Sequence, residues 1–292
     1  MSEGLRASRL GEVDEALAAD AMMAVWHRFD LFPMETLTKA WLYRQPGGAR
    51  QRTVEEMVEH RRAYGTSGNC FDLAIWLLHE LRQAGVPAHA IGHDLFTAGA
   101  HVAVLAYQGG QRYLCDLGDM WIRPISIDLA DASDPLPGYF PGANVQIDQR
   151  GSECVVTYHR PSGKASRQTY SLVEVGDEEL VRAGWHSQGL VRRPLCEMRV
   201  ALPGETAHWE FDNWASFLST SSSLHKEPPA GSVDGWSERI AARTGISREV
   251  VAQALDVYQG LRRKGHAGVQ DTLGLPTSPE GGESLGNTRP PR

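Results

Sequence analysis

The spacing of apolar residues changes near residue 90, and this change limits the folds that are open to the chain. Before it, apolar residues recur at helical spacing, most clearly from Ala74 to Leu81. After it, they alternate with polar residues, as in residues 101–107 and 112–117, which is typical of strands with one buried face. We therefore expect an α+β protein in which a helical part precedes a β-rich part.

The length predicts more than one packed unit. At 292 residues the chain exceeds the usual size of a single hydrophobic core. We expect a helical bundle at residues 1–90 and, because its short strands follow one another closely, a β-barrel at residues 91–200. A third unit at residues 201–264 should end in a helix from Ser247 to about Arg263. Residues 265–292, dominated by Gly, Pro, Ser and Thr, are expected to form a disordered tail.

Charge and cysteine content exclude several classes of function. The formal net charge is −7 and no run of Lys or Arg is present, which argues against nucleic acid as a partner. No apolar segment is long enough for a membrane span and the N-terminus is polar, so we expect a cytoplasmic protein without a membrane partner. The four cysteines are widely separated and none forms a CxxC pair, which favours reduced thiols and argues against a metal site.

Cys70 is predicted to be the first residue of a helix. Asn69 is a strong N-cap residue, and Asp72 occupies the third helical position of a capping box. Helical spacing then continues to Gly85, a natural helix stop. The positive end of this helix favours a thiolate, and its backbone N–H groups are suited to bind an oxyanion. From this segment alone, a reactive thiol and an ordinary buried cysteine are equally good interpretations.

A two-glycine turn predicts the next part of the site. Gly109–Gly110 should join two alternating segments into a β-hairpin. Pairing residues outward from this turn places Ala103 opposite Asp116. His101 lies two residues before Ala103, on the same face of the sheet, and is therefore a diagonal neighbour of Asp116 within side-chain reach.

Cys70, His101 and Asp116 together predict a catalytic triad. A nucleophilic cysteine needs a base, and that base needs a third group that fixes its tautomer and orients its ring. A helix start, a strand start and the partner strand supply these three groups in order. Papain-like and transglutaminase-like thiol enzymes share this arrangement.

Several segments resemble blocks of the arylamine N-acetyltransferase family, from about residue 25 to about residue 200. One segment is similar to the family's proline-phenylalanine-glutamate block, one to its glycine-glycine-aromatic-cysteine-phenylalanine-glutamate-leucine block, and two to the segments around its catalytic histidine and aspartate. These segments are Phe32–Leu37, Ser67–Leu73, the strand that begins at His101, and Tyr113–Gly118 followed by Pro124 and Ile125.

The resemblance implies a fold and a reaction. The fold would consist of a helical bundle, a β-barrel and an α/β lid. The reaction would be ping-pong acyl transfer, in which Cys70 takes an acyl group from a thioester and passes it to a small-molecule amine. The donor would be CoA or an acyl carrier protein, acting as a co-substrate, with no tightly bound cofactor. Arg123, Arg192 and Arg193 are candidates for a local contact with phosphate or pantetheine.

Two single positions and one three-residue segment depart from the family pattern. Thr66 replaces an arginine, Asn69 replaces an aromatic residue, and Asp119–Trp121 replaces a glycine-phenylalanine-glycine segment. The departures favour the amide synthases of natural-product biosynthesis, which share this fold and load acyl groups from carrier proteins. Two other hypotheses stay open: a transglutaminase-like or protease-like thiol hydrolase that acts on peptide amides, and a binding protein without enzyme activity.

Overall fold

The computed structural model describes residues 21–129 and 134–268, and only the backbone of residues 264–268. Apolar residues at helical spacing predict a first helix from Glu12 to about Phe29. Residues 21–27 are helical (α1), and residues 12–20 lie outside the described part of the chain. The final helix continues to Gly268, five residues beyond the predicted end at Arg263. The rest of the expected disordered tail also lies outside the description.

The N-terminal part is mostly helical. Thr53, with Glu56 three residues later, predicts a capped helix start, and the two side chains form this capping box at the start of the third helix. Pro33 predicts a break in the helical pattern, because the residue before a proline is disfavoured in a helix, and the segment after it contains a short strand followed by a helix. The elements are β1 (Met34–Glu35), α2 (Leu37–Leu42), α3 (Val54–Tyr64) and α4 (Cys70–Gln83).

A five-stranded sheet packs against α4 and carries the predicted hairpin. Gln108 pairs with Gln111 across Gly109–Gly110, and the register continues to Val104 opposite Cys115, as counting from the turn predicted. The apolar side of α4 is buried on this sheet, since Leu73, Leu77 and Leu81 are each 1% exposed. The strand order is β10, β2, β3, β4, β5, with bounds β2 (Ala88–His93), β3 (His101–Gln108), β4 (Gln111–Cys115), β5 (Ile125–Ser126) and β10 (Glu174–Val175).

Two further sheets and three helices complete the described chain. The second sheet is a four-stranded meander of β6 (Leu136–Phe140), β7 (Ala143–Arg150), β8 (Glu153–His159) and β9 (Ala165–Ser171). The third has the order β1, β11 (Leu195–Leu202), β12 (Glu205–Asp212), β13 (Ala215–Ser219), β14 (Leu224–Lys226). The helices are α5 (Asp177–Gly189), α6 (Val233–Thr244) and α7 (Arg248–Gly268).

The structure is a mixed α/β fold, but the expected barrel is not closed. Within the described residues, the strands form three open sheets. β11 was expected in the barrel, but it belongs to the third sheet because it pairs with β1 and β12. Alternation of apolar residues identifies a strand and its buried face, but it does not specify its partner.

Two hydrophobic cores cross the sequence boundaries expected at residues 90 and 200. The larger core lies between α1, α4 and the first two sheets. The smaller core joins α2 to the third sheet, α6 and α7, and it includes Leu37, Cys196 and Val251. As a result, Met34 and Leu37, on either side of Glu35, belong to different cores. Within residues 21–129 and 134–268, every helix is too short or too polar to traverse a bilayer.

Candidate active site

Cys70 is the first residue of α4, at the end of a capped turn. The side chain of Asn69 accepts hydrogen bonds from the backbone N–H of Phe71 (3.0 Å) and of Asp72 (3.3 Å), and Asp72 accepts one from the N–H of Asn69 (3.2 Å). The predicted capping box is therefore present. Because the cap uses the N–H groups of Phe71 and Asp72, these two are not available to an oxyanion, contrary to the expectation from sequence.

Glu35 holds the turn that precedes Cys70. Its carboxylate accepts hydrogen bonds from the backbone N–H of Gly68 (2.7 Å) and Ser67 (3.3 Å), and from the N–H of Thr38 (2.7 Å). Glu35 is fully buried. A buried carboxylate is stable only when its oxygens are hydrogen-bonded, so the turn and the carboxylate support each other.

A buried guanidinium also reaches this turn. Arg52 donates to the carbonyl oxygen of Ser67 (2.8 Å), and its Nε lies 3.4 Å from Asp72 Oδ1. Gln188, from α5, donates to the other oxygen of Asp72 at 2.9 Å. Thr66 stands where the arylamine N-acetyltransferase pattern has an arginine, and the structure shows that Arg52 brings a positive charge to the turn from another segment.

His101 and Asp116 are in direct contact, as the hairpin register predicted. His101 Nε2 lies 2.6 Å from Asp116 Oδ2, and the two side chains are 5% and 0% exposed. The hydroxyl of Tyr170 donates to the same Asp116 oxygen at 2.9 Å, while the backbone N–H of Asp119 donates to the other at 2.9 Å. Both carboxylate oxygens are thus hydrogen-bonded, which fixes the carboxylate. Because Asp116 contacts Nε2 of His101, Nδ1 is left for another partner.

The surroundings favour a protonated imidazole. Burial alone would lower the pKa of His101, but the Asp116 carboxylate and the nearby Cys70 sulfur outweigh burial and raise this pKa well above its usual value. Burial and the Asp116 charge raise the pKa of Tyr170 well above its usual value, so its hydroxyl stays a neutral donor. This arrangement can maintain a thiolate and an imidazolium as an ion pair.

Gly118 connects the aspartate segment to the thiol. A Cβ added at Gly118 would lie 2.6 Å from the Cβ of Cys70. Only a residue without a side chain fits there while Cys70 keeps its position. The family resemblance included this glycine, but its contact with Cys70 required the structure.

Cys70 and His101 line a cavity of about 320 Å³, and Asp116 contacts His101 without lining the cavity itself. Arg192 and Arg193 also line it, whereas Arg123 stacks on the ring of Tyr139, 4.1 Å from its centre, and is not part of the wall. Sequence reasoning missed Lys39, which lines this cavity, and Tyr170, which supports Asp116 from a strand of another sheet. No local motif signals either residue.

A separate cluster of side chains with metal-ligating atoms lies in the third sheet. Glu197, His208 and Glu210 place one ligand atom each within 4.8 Å of one another, and Glu197 Oε1 lies 3.5 Å from His208 Nε2. These side chains could hold a cation. They do not line the Cys70 cavity, so the chemistry of that cavity does not involve them.

The fold is shared with solved arylamine N-acetyltransferases. The enzyme from Mycobacterium marinum superposes with a TM-score of 0.66 at 14% identity, over 82% of this chain and 91% of that one. Its complex with CoA gives 0.61 at 13% identity, over 77% and 87%. An enzyme from Bacillus cereus, described as having a Cys-His-Glu catalytic triad, gives 0.56 at 14% identity, over 78% and 91%. At these identities the likeness shows the fold, and it confirms the resemblance at that level. No family model and no curated protein matches the sequence.

Proposed function

We propose that this protein is an N-acyltransferase that takes an acyl group from a thioester and transfers it to an amine through an acyl-Cys70 intermediate. The observation that carries the proposal is the 2.6 Å contact between His101 and Asp116, at the wall of the cavity that Cys70 enters from a helix N-terminus. The fold shared with arylamine N-acetyltransferases, one of them solved with CoA, supports the choice of reaction and donor.

In the first half-reaction, the Cys70 thiolate attacks the thioester carbonyl. The new carbon–sulfur bond forms, the bond to the donor sulfur breaks, and the departing thiolate takes a proton from the His101 imidazolium. The positive end of α4 stabilises the attacking thiolate. Asp116 and Tyr170 hold the ring of His101 in one orientation throughout, because both oxygens of the carboxylate are engaged.

In the second half-reaction, an amine attacks the acyl-Cys70 carbonyl. His101 accepts the proton of the amine, the amide leaves, and the thiolate of Cys70 is restored. A cytoplasmic location and a small-molecule amine, both expected from the sequence, fit this proposal. Arg193, at the cavity wall, is placed to contact pantetheine or phosphate of CoA. An acyl carrier protein is the donor in the related hypothesis of a natural-product amide synthase.

Intact-protein mass spectrometry tests the proposal. The wild type is incubated with acyl-CoA thioesters and with an acyl carrier protein that bears the same acyl group. We expect a mass increase of one acyl group on the wild type and none on Cys70→Ser. Cys154→Ser is the matched control, because Cys154 is buried in the second sheet and burial raises its pKa to about 12, so this variant should load normally. A full load on Cys70→Ser, or no load on the wild type from any thioester, would contradict the proposal.

The decay of the acyl-Cys70 intermediate distinguishes acyl transfer to an amine from hydrolysis, which is the alternative that the sequence left open. Acyl-enzyme isolated from free thioester is offered a panel of amines, and its decay is followed by mass. We expect the decay to accelerate with amine concentration and to yield amide. Decay at a rate that no amine changes, with release of the free acid, would favour the thiol hydrolase.

A further inference from the structure

Lys39 is a buried cation in the wall of the Cys70 cavity. It belongs to α2 and is 9% exposed. Its ammonium group donates to the carbonyl oxygen of Ser187 at 3.2 Å, and the Ser187 hydroxyl accepts a hydrogen bond from the Asn69 side chain at 3.1 Å. Since Asn69 caps the helix that Cys70 begins, the ammonium lies beside the nucleophile.

The nearby carboxylates are satisfied by other groups. Glu35 is hydrogen-bonded by Thr38 and by the turn before Cys70, and Asp72 by Gln51, Gln188 and the N–H of Asn69. Within the described residues, Lys39 forms no hydrogen bond or ion pair with either of them. An ammonium has three N–H donors, and the Ser187 carbonyl occupies one. Lys39 therefore has donors left for a molecule in the cavity.

A second cation lines the same cavity. Arg192 is exposed and has no hydrogen bond or ion pair with the described part of the chain, and its positive charge, of the same sign as that of Lys39, lowers the pKa of Lys39 further. No Asp or Glu is among the described residues that line the cavity. Burial lowers the pKa of Lys39, and Cys70 is the largest influence against it, which agrees with their proximity. The charges of Cys70, Asp72 and Glu35 act on Lys39, but two cations in a wall without a carboxylate still favour an anionic ligand.

We propose that Lys39 and Arg192 form a carboxylate-binding subsite beside Cys70, so that the preferred acyl group carries a distal carboxylate, as in the monothioester of a short dicarboxylic acid. This inference rests on the proposed function for its acyl donor. The phosphates of CoA are separated from the thioester by the whole pantetheine arm, so a cation beside the sulfur does not reach them. A carboxylate on an acyl group joined to Cys70 does reach it.

Alkylation of Cys70 tests the subsite without any acyl transfer. Iodoacetate and iodoacetamide both react by displacement of iodide by sulfur, and they differ by a carboxylate in place of a neutral amide. The rates at Cys70 are measured by peptide mass spectrometry, and their ratio is divided by the same ratio for N-acetylcysteine. We expect the normalised ratio of the wild type to favour iodoacetate by about tenfold, the effect of about 1.4 kcal/mol. A ratio near one, or below it, would overturn the proposal.

Two variants assign the effect to the subsite. Lys39→Met should bring the ratio close to one, and Arg192→Gln should lower it by about threefold. Lys164→Met and Arg167→Gln, at exposed positions outside the cavity, are the matched controls and should keep the wild-type ratio. If Lys39→Met does not fold, two other measurements replace it. One is the normalised ratio of Arg192→Gln, and the other is the slowing of Cys70 alkylation in the wild type when succinate is added. A wild-type ratio in Lys39→Met would count against the subsite. If that variant does not fold, a wild-type ratio in Arg192→Gln together with no effect of succinate would count against it.

Acyl loading then connects the subsite to the reaction. Succinyl-CoA should load Cys70 about tenfold faster than butyryl-CoA, and Lys39→Met should bring the ratio of the two loading rates close to one. Equal loading of both donors by the wild type would overturn the substrate class. If no thioester loads the wild type, the proposed function fails, whereas the alkylation ratio still decides whether the subsite exists.

Discussion

The backbone of Gly118 packs in direct contact with the side chain of Cys70. A Cβ at Gly118 would stand 2.6 Å from the Cβ of Cys70 and 3.0 Å from its Cα, closer than packed carbon atoms approach. The segment that follows Asp116 therefore fixes the position of the nucleophile as well as that of the carboxylate.

Gly118→Ala should displace Cys70 and slow its reactions. We expect the alkylation rate of Cys70 to fall by at least about tenfold, with a loss of about 1–3 kcal/mol in the free energy of unfolding from overpacking. Iodoacetamide kinetics and urea unfolding measure the two effects. Gly176→Ala is the control, because nothing lies within 4 Å of a Cβ there. A Gly118→Ala variant with wild-type reactivity would show that the contact does not position the thiol.

Tyr170→Phe should weaken the support of Asp116. The variant removes a hydrogen bond to a buried carboxylate, so we expect a loss of about 1.5–3 kcal/mol in the free energy of unfolding and a lower rate of acyl loading. Tyr113→Phe is the control, since the hydroxyl of Tyr113 donates to Gln111 at 2.9 Å and does not contact Asp116. Comparable losses of loading in both variants would mean that the bond to Asp116 has no special role.

The stability that His101 gains from Asp116 should depend on pH. Burial opposes the charged ring, but Asp116 and Cys70 raise the pKa of folded His101 well above its ordinary value of 6.5. Protonation therefore stabilises the folded state fully below pH 6.5, and this contribution is lost as the pH rises through the folded pKa. The difference in the free energy of unfolding between the wild type and Asp116→Asn should shrink as the pH rises above 6.5. A difference that grows over this range would contradict the assignment of the charge.

Glu35→Gln should loosen the turn before Cys70. The substitution replaces an oxygen that accepts hydrogen bonds with an NH₂ group that faces the N–H donors of Gly68 or Thr38. We expect a loss of about 3 kcal/mol in the free energy of unfolding and slower alkylation of Cys70. Urea unfolding and iodoacetamide kinetics measure both. Glu238→Gln, at an exposed position of α6, should change neither. Normal alkylation in Glu35→Gln would show that the turn keeps its shape without this carboxylate.

The sequence was most informative where the geometry is local. The capping box around Asn69 lies within four residues, and the Gly109–Gly110 turn sets a register that extends along both strands. Such features depend on short-range backbone geometry, which residue type and spacing specify. The contact between His101 and Asp116 followed from this register without any knowledge of the rest of the fold.

Contacts between distant segments could not be derived in the same way. β1 pairs with β11 across more than half of the described chain, and this pairing opens the expected barrel. Tyr170 alternates in its strand like any core residue, and its partner Asp116 belongs to a different sheet. Lys39 lies in a short helix that the sequence did not predict. Each case depends on which surfaces pack together, and the periodicity of one segment does not contain that information.

The turn that carries Cys70 is held by groups from Glu35, Arg52, Gly118 and Gln188, and no single one of these segments encloses it. During translation, Cys70 is incorporated early, and α5 begins more than one hundred residues later in the chain. Until α5 docks, the thiol lacks the surroundings that orient it. Full reactivity should therefore require α5 in place, so that selective labelling of Cys70 would report that the polypeptide has completed its tertiary assembly.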